Sequence, residues 1–305
     1  MHAISVTDLR KSYGPFEALR GVSFDIEAGG VVAVLGPNGA GKTTMIEILE
    51  GFRFRDAGRA SVLGMDPARG GSELRERIGI VLQESGVDNY LQVAEVVRMH
   101  AEYYRRPRDV DEVVDLVGLT EKAKAKVKTL SGGQRRRLDV ALGLIGDPEL
   151  LFLDEPTTGF DPTARRQAWQ MIGSLGRLGK TVLLTTHYME EAQFLADRVI
   201  VIASGRIVAD GTPDSIGGRA TAAVRIRFAL PPGLAAGDLP VAPTSIGGDG
   251  QVLIETLDPT EVLHHLTGWA IGRDAVLDGL TVDRPSLEDV YLSLTGADGR
   301  DEDAA

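Results

Sequence analysis

The chain has 305 residues, of which 43% are apolar, so it is long enough for about two domains and a sizeable core. Its formal net charge of −11 disfavours a large nucleic-acid surface, and the absence of cysteine excludes disulfides and thiolate metal sites. No apolar stretch approaches the ~18 residues that span a bilayer, and the N-terminus lacks the apolar core of a signal peptide, so we expect a cytoplasmic protein.

The first sixty residues are predicted to be rich in β-strands. Residues 4–9 and 22–27 alternate apolar and polar side chains, which predicts a small antiparallel sheet. The apolar run VVAVL at 31–35 then predicts a buried strand, and GPNGAGKTT follows it directly at 36–44.

This glycine-rich segment fits the pattern G-x-x-x-x-G-K-[ST] of a phosphate-binding loop. Its glycines let backbone N–H groups surround a phosphate, Lys42 can reach the β- and γ-phosphates, and the Thr43 hydroxyl can hold Mg²⁺. A chance glycine-rich turn is the alternative, which the preceding strand and following helix disfavour. The residues predicted to bind a nucleoside triphosphate are Gly36, Pro37, Asn38, Gly39, Ala40, Gly41, Lys42, Thr43 and Thr44.

Strand and helix patterns alternate through the middle of the chain. Residues 78–83 predict another buried strand, whereas 92–119 and 138–146 have the apolar spacing of helices. The helical block at about 90–148 is therefore predicted to be an insertion into the sheet.

The segment LSGGQ within this block predicts a second anion-binding helix end. Ser131 can cap the helix that follows, and Gly132 and Gly133, beside Gln134, expose backbone N–H groups. One phosphate chain already enclosed by the first loop cannot easily use both ends, so the pattern favours a dimer that shares its nucleotides. An ordinary capped helix is the alternative.

LLFLDEP at 150–156 places two carboxylates at the end of an apolar strand, where open α/β sheets bind ligands. Asp154 can hold Mg²⁺, and Glu155 can accept a proton from the attacking water. A surface Asp-Glu pair is the alternative. With strands predicted at 181–186 and 199–203 and a helix at 162–179, the pattern indicates an α/β fold with a mostly parallel sheet.

The composition changes after about Gly211. Strands at 223–230 and 251–257, a helix that begins at Asp258 and a helix at 285–296 predict a small α+β domain. We expect a nucleotide-binding domain at 1–216, this second domain at 217–296 and an acidic tail at 297–305.

Taken together, the motifs form an ordered set. GPNGAGKTT, Gln83, LSGGQ, LLFLDEP, the turn GFDP (159–162) and His187 resemble the ATP-binding subunits of ATP-binding cassette (ABC) transporters over residues 4–212. The resemblance implies a RecA-like parallel sheet core with an N-terminal antiparallel β subdomain and an inserted helical subdomain. The stretch at 285–296 is similar to the tail of daunorubicin-type drug and antibiotic export ATPases.

The resemblance also implies roles for single residues. Tyr13 matches the aromatic residue that stacks on adenine, and Gln83 matches the glutamine that senses Mg²⁺ or the γ-phosphate. Asp161 matches a contact across the dimer interface, and His187 matches the histidine that steadies the γ-phosphate and water. An ordinary strand-end tyrosine and a structural histidine are the alternatives for Tyr13 and His187.

The function that this resemblance implies is an ATPase motor. Two copies would close on two ATP molecules with Mg²⁺ and drive a separate integral-membrane permease, which holds them at the inner face of the membrane. Export of a drug, antibiotic or other small hydrophobic compound is expected, with residues 84–96 as the docking surface. The alternative is a soluble cassette acting on ribosomes or nucleic acid; the small motif spacing and acidic balance disfavour it, so no nucleic-acid partner is expected.

The C-terminal domain leaves a choice open. It is either a ligand sensor or an extension that stabilises the dimer or contacts the permease.

Overall fold

The computed structural model describes residues 2–81 and 86–295, and the chain divides into two compact units, Met1–Pro213 and Asp214–Ala305. Each unit has a sheet and a hydrophobic core of its own. In the described part of the first unit the elements are β1 (His2–Tyr13), β2 (Phe16–Glu27), β3 (Gly30–Leu35), α1 (Lys42–Leu49), β4 (Ala57–Val62), α2 (Gly71–Arg77), β5 (Ile78–Val81), α3 (Val93–Ala101), α4 (Val110–Leu116), α5 (Gly132–Leu144), β6 (Leu150–Asp154), α6 (Pro162–Arg177), β7 (Thr181–Thr186), α7 (Met189–Leu195), β8 (Arg198–Ala203) and β9 (Arg206–Gly211).

The N-terminal strands form an antiparallel sheet in the order β2-β1-β4. Ile4 pairs with Ile26 on one side and with Val62 on the other, and all three side chains are fully buried. This sheet packs its apolar face into the same core as α1 and the central sheet. The predicted antiparallel β subdomain is therefore confirmed.

The central sheet has the strand order β5-β6-β7-β3-β8-β9, and its strands run parallel except for β9, which pairs antiparallel with β8. Strands β3, β6 and β7 are almost wholly buried, as expected when helices cover both faces. Leu35 pairs with Thr186 and Asp154 with Thr185, so β3, β6 and β7 end at one edge of the sheet. The segments that carry the phosphate loop, both carboxylates and His187 all leave from that edge.

The helical block contains α3, α4 and α5. Helix α5 begins at Gly132, directly after the predicted cap Ser131, and continues through the apolar segment that predicts a helix at 138–146. Glycines disfavour a helix interior by about 1 kcal/mol each, but Ser131 forms a capping box with Gln134, which stabilises the first turn. LSGGQ and the buried apolar segment after it thus belong to one continuous helix.

The second unit is a small α+β structure, as the strand and helix patterns predict. Its sheet has the order β11-β12-β10-β13, and α8 lies over a core that includes Phe228 and Leu266. Asp258 caps α8 by accepting a hydrogen bond from the Glu261 N–H. Its elements are β10 (Val224–Ala229), β11 (Ser245–Ile246), β12 (Gln251–Thr256), α8 (Pro259–Gly272), β13 (Thr281–Asp283) and α9 (Leu287–Thr295).

Candidate functional site

The phosphate loop joins β3 to α1 and requires its glycines. Gly39 and Gly41 have φ values of 82° and 103°, in the left-handed region that favours glycine. A Cβ on Gly41 would lie 2.5 Å from the Ala18 carbonyl oxygen, and one on Gly36 would lie 2.3 Å from the Ile202 carbonyl oxygen. The loop is therefore packed too closely against its surroundings for side chains at these positions.

Lys42 directs its ammonium group into this loop. Its Nζ donates hydrogen bonds to the carbonyl oxygens of Gly36 at 2.8 Å and Pro37 at 3.0 Å. Burial lowers the pKa of Lys42, while the nearby charges of Glu155 and Asp154 oppose that shift. The loop thus holds a buried positive charge among backbone groups, which suits an anionic phosphate chain.

The loop lies along a cavity of about 350 Å³, which Tyr13, Phe16 and Glu155 also line. The Tyr13 hydroxyl lies 3.4 Å from Thr44 Oγ1, and the Arg53 guanidinium lies 5.2 Å from the centre of the Tyr13 ring. Phe16 is 54% exposed and adds a second aromatic ring. Aromatic rings beside a phosphate loop suit a ligand with both a planar base and a phosphate chain.

The two acidic residues at the end of β6, Asp154 and Glu155, are anchored by Thr185 of β7. The Thr185 hydroxyl donates to Asp154 Oδ1, and the Glu155 N–H donates to the Thr185 carbonyl oxygen at 3.2 Å and to its Oγ1 at 3.1 Å. Glu155 has a φ of 44°, a strained conformation for a residue other than glycine. This turn sends Glu155 out of the strand and leaves Asp154 at its end.

The Glu155 carboxylate lies close to both Lys42 and His187. Its Oε1 lies 3.9 Å from Lys42 Nζ and 3.3 Å from His187 Nδ1, although the latter contact lacks hydrogen-bond geometry. Its Oε2 accepts a hydrogen bond from the Thr158 hydroxyl at 3.1 Å. A carboxylate, an ammonium and an imidazole thus converge beside the phosphate loop, which is the set needed to bind a phosphate and deprotonate a water.

Residues 131–134 of the LSGGQ segment line a different cavity, also of about 350 Å³, together with Asp161. Ser131 Oγ accepts from the Gln134 N–H at 3.3 Å, and Gln134 Oε1 accepts from the Ser131 N–H at 3.0 Å. Asp161 caps α6 by accepting from the N–H groups of Thr163 and Ala164, both at 2.9 Å. The structure therefore sorts the predicted nucleotide residues into two groups, one around the phosphate loop and one around Ser131.

The remaining predicted groups are those for Mg²⁺. Among the described residues, no cluster of three or more acidic or histidine side chains could hold a metal ion. Thr43 and Asp154 still fit a magnesium ion, because Mg²⁺ is usually held by one or two protein oxygens together with substrate phosphates. Gln83 lies outside the described residues.

Three buried side chains near the site carry no predicted role. Thr185 links Asp154 to Glu155, Arg136 donates to backbone carbonyls beside Glu155, and the fully buried Glu191 accepts hydrogen bonds from Thr157 at 2.7 Å and Trp169 at 2.9 Å. A threonine near the end of an apolar strand, two positions before the candidate histidine, is the signal that could have identified Thr185. The partners of Arg136 and Glu191 lie too far away in the sequence for any local pattern to indicate them.

Comparisons with known proteins show the family of the chain. The ABC transporter family model matches residues 19–158, and the model of the ABC transporter domain-containing protein-like C-terminal domain matches 224–286. A daunorubicin resistance ATP-binding protein of Streptomyces coeruleorubidus is 40% identical, with 99% of each chain covered. Nod factor export ATP-binding protein I of Rhizobium meliloti (strain 1021) is 38% identical over 98% of this chain and 90% of that protein.

A solved ATP-binding cassette in a dimeric post-hydrolysis state, bound to ADP and phosphate, has a TM-score of 0.61 and 26% identity, covering 68% of this chain and 98% of that one. These comparisons do not favour a cassette that acts on ribosomes or nucleic acid. In the described ranges 2–81 and 86–295, none of the helices has the length and apolar character needed to traverse a bilayer.

Proposed function

Because this chain belongs to the ABC transporter family of ATP-binding proteins, we propose that it is the ATP-hydrolysing motor subunit of an exporter, which works as a pair of copies on a separate integral-membrane permease. Both relatives described above have names that indicate resistance or export, which supports an export role. A drug or antibiotic as the cargo is supported by the daunorubicin resistance protein, which has the higher identity of the two. This role would place the chain at the cytoplasmic face of a membrane, attached through the permease.

One observation carries the proposal: the phosphate loop and LSGGQ line two separate cavities, each with part of the predicted nucleotide site. Lys42 and Glu155 line the first cavity, with His187 beside Glu155, while Ser131 and Asp161, the expected interface residue, line the second. In a pair of copies, the Ser131 end of one chain would complete the phosphate-loop site of its partner. Charge-assisted contacts to two γ-phosphates would then form only on closure.

The chemistry follows from the groups around Glu155. The loop N–H groups and Lys42 would bind the β- and γ-phosphates, and Tyr13 would stack on the base. Glu155 Oε1 would accept a proton from the water that attacks the γ-phosphorus, and the bond from that phosphorus to the bridging oxygen would break to leave ADP and phosphate. His187, 3.3 Å from this carboxylate, would steady the attacked phosphate.

Mg²⁺, when held by Thr43 and Asp154, would neutralise negative charge on the phosphates. Because Thr185 holds Asp154 at the sheet edge, that carboxylate is oriented before any ion binds. Residues 86–96, the described part of the expected permease-docking segment, expose Tyr90, which would suit a contact with the permease.

The test replaces Glu155 with glutamine, which keeps the shape of the side chain and removes its basicity. We expect Glu155→Gln to bind ATP normally, to lose turnover, and to accumulate as dimers in analytical ultracentrifugation. Adding Ser131→Arg, which fills the second cavity, is the matched control and should restore monomers. Wild-type turnover by Glu155→Gln, or a strictly monomeric sample saturated with ATP at every concentration, would overturn the proposal.

A further inference from the structure

Arg136 lies in the second turn of α5 and reaches the turn that carries Glu155. Its Nε donates to the Pro156 carbonyl oxygen at 3.1 Å, and its Nη2 donates to the Asp154 carbonyl oxygen at 2.9 Å. These two carbonyl groups flank Glu155 on either side in the chain. One planar guanidinium group therefore binds the backbone before and after the candidate catalytic carboxylate.

The Arg136 side chain is itself well fixed. The residue is only 7% exposed, and Nη1 lies 3.9 Å from Asp139 Oδ2, one turn along the same helix. Burial lowers the pKa of Arg136 and the charges of Asp139 and Asp154 oppose that effect, but an arginine stays protonated in proteins. Because the guanidinium group of Arg136 is buried and paired with a carboxylate of the same helix, it should move together with α5, unlike a flexible side chain on the surface.

The turn that Arg136 binds depends on such anchors. Glu155 is in a left-handed conformation, which a non-glycine residue keeps only where surrounding contacts impose it. Thr185 holds the turn from the sheet, and Glu191 of α7 holds it through the hydroxyl of Thr157. Arg136 supplies the anchor from the helical block, so the position of α5 enters directly into the position of Glu155.

The same helix begins at the second cavity. Ser131 is its N-cap, and Ser131 and Arg136 are five positions apart, or about 7.5 Å along a rigid helix. In the dimer of the proposed function, on which this inference rests, Ser131 faces the nucleotide of the partner, while Arg136 binds the backbone on either side of Glu155 in its own chain. If contact with a γ-phosphate displaces the start of α5, Arg136 moves with it, because only about one and a half helical turns separate the two residues. The displacement would then be passed to the backbone around Glu155.

We propose that Arg136 is a positioning residue that couples the Ser131 end of α5 to Glu155, so that each site hydrolyses ATP only when the partner's nucleotide is engaged. Arg136 lines neither the phosphate-loop cavity nor the Ser131 cavity. Its effect is on the geometry of Glu155, and it should therefore change the rate of the chemical step and leave the binding of ATP alone.

The first experiment measures turnover and ATP affinity separately in Arg136→Met, which keeps side-chain length without donors, and in Arg136→Lys. We expect kcat to fall about tenfold or more in Arg136→Met, with the Kd for ATP within about twofold of wild type. Arg136→Lys can still donate to one of the two carbonyl oxygens, so its kcat should lie between those of Arg136→Met and the wild type. An unchanged kcat in both variants, or a loss of affinity that matches the loss of rate, would overturn the proposal.

Arg198→Met is the matched control, because Arg198 also donates to a backbone carbonyl, that of Asp25 at 2.6 Å, and pairs with Asp210 in the same unit. It should lower the melting temperature without changing kcat. If Arg136→Met does not fold, kcat is compared between Arg136→Lys and Arg198→Lys under conditions in which the two variants have equal melting temperatures. A purely structural role of Arg136 predicts equal kcat values, whereas a positioning role predicts a lower kcat in Arg136→Lys.

The second experiment tests the coupling itself with Ser131→Ala, alone and combined with Arg136→Met. If Arg136 transmits what Ser131 senses, the loss of kcat in the double variant falls short of the product of the two single losses, by about threefold or more. Losses that multiply would show two independent effects and overturn the coupling. Failure of the proposed function gives a different result from failure of the coupling. If the proposed function is wrong, Glu155→Gln stays monomeric with ATP although its Arg136 is unchanged.

Discussion

Glu50, the residue after α1, should make the stability of the first unit depend on pH. It is 5% exposed, and burial, followed by the charges of Asp154 and Glu47, raises the pKa of Glu50 from 4.5 to about 8. Between these values the folded protein keeps a proton that the unfolded chain releases. The free energy of unfolding should therefore be greatest below pH 4.5 as far as Glu50 is concerned, and should fall as the pH rises to about 8.

The size of this effect follows from the same shift. At 1.36 kcal/mol per pKa unit, it corresponds to a loss on the order of 5 kcal/mol across the whole range. Glu50→Gln is neutral at every pH and should remove this contribution. Between about pH 5 and about pH 8, the wild type should therefore lose a few kcal/mol of unfolding free energy that Glu50→Gln does not lose.

Urea unfolding without nucleotide and with a chelator measures this difference. The chain has two tryptophans, Trp169 in the first unit and Trp269 in the second, so a Trp269→Phe background lets Trp169 fluorescence report on the first unit. Glu47→Gln is the control on the same helix and should keep most of the pH dependence, because burial is the first cause of the shift. If Glu50→Gln and the wild type have the same pH profile, a buried protonated Glu50 is refuted.

Three further outcomes are expected. Lys42→Ala should weaken ATP binding about tenfold or more in calorimetric titration, because it removes a charge-assisted contact worth about 1.5–3 kcal/mol; unchanged affinity would contradict the assigned phosphate contact. Thr185→Val should lower kcat with little change in nucleotide affinity measured without Mg²⁺, while Thr185→Ser retains activity; equal rates for both variants would exclude a positioning role for this hydroxyl. Gly41→Ala should lower the melting temperature more than Gly39→Ala, since only the former places its Cβ against a carbonyl oxygen, at 2.5 Å; equal melting temperatures would contradict the close packing of the loop.

The features that the sequence indicates well are those whose cause is local. The phosphate loop, the cap at Ser131 and the buried strands depend on residues within a few positions of one another, through positive φ at glycine, N-cap hydrogen bonds and apolar periodicity. The resemblance to ABC cassettes, which the comparisons confirm, rests on these same short segments.

Several elements escaped prediction because their patterns are weak. Strands β4 (Ala57–Val62) and β9 (Arg206–Gly211) lie at sheet edges; the first half of β4 is exposed, and β9 carries only exposed or half-buried side chains. The apolar periodicity of α5 begins only at residue 138, so its first six residues are indicated by the cap at Ser131 and not by an apolar pattern. In both strands tertiary contacts outweighed local propensity.

The sequence by itself therefore determined that the chain has a phosphate loop, a parallel sheet and a capped LSGGQ helix. Tertiary structure alone decided that Lys42, Glu155 and His187 converge, that LSGGQ lines a second cavity, and that Arg136 and Thr185 hold the strained Glu155 turn. The reason is physical: the residues of the Glu155 turn that Arg136 and Thr185 bind lie 18 to 31 positions away from them, and only the packing of α5 and β7 against the end of β6 brings them within hydrogen-bond distance.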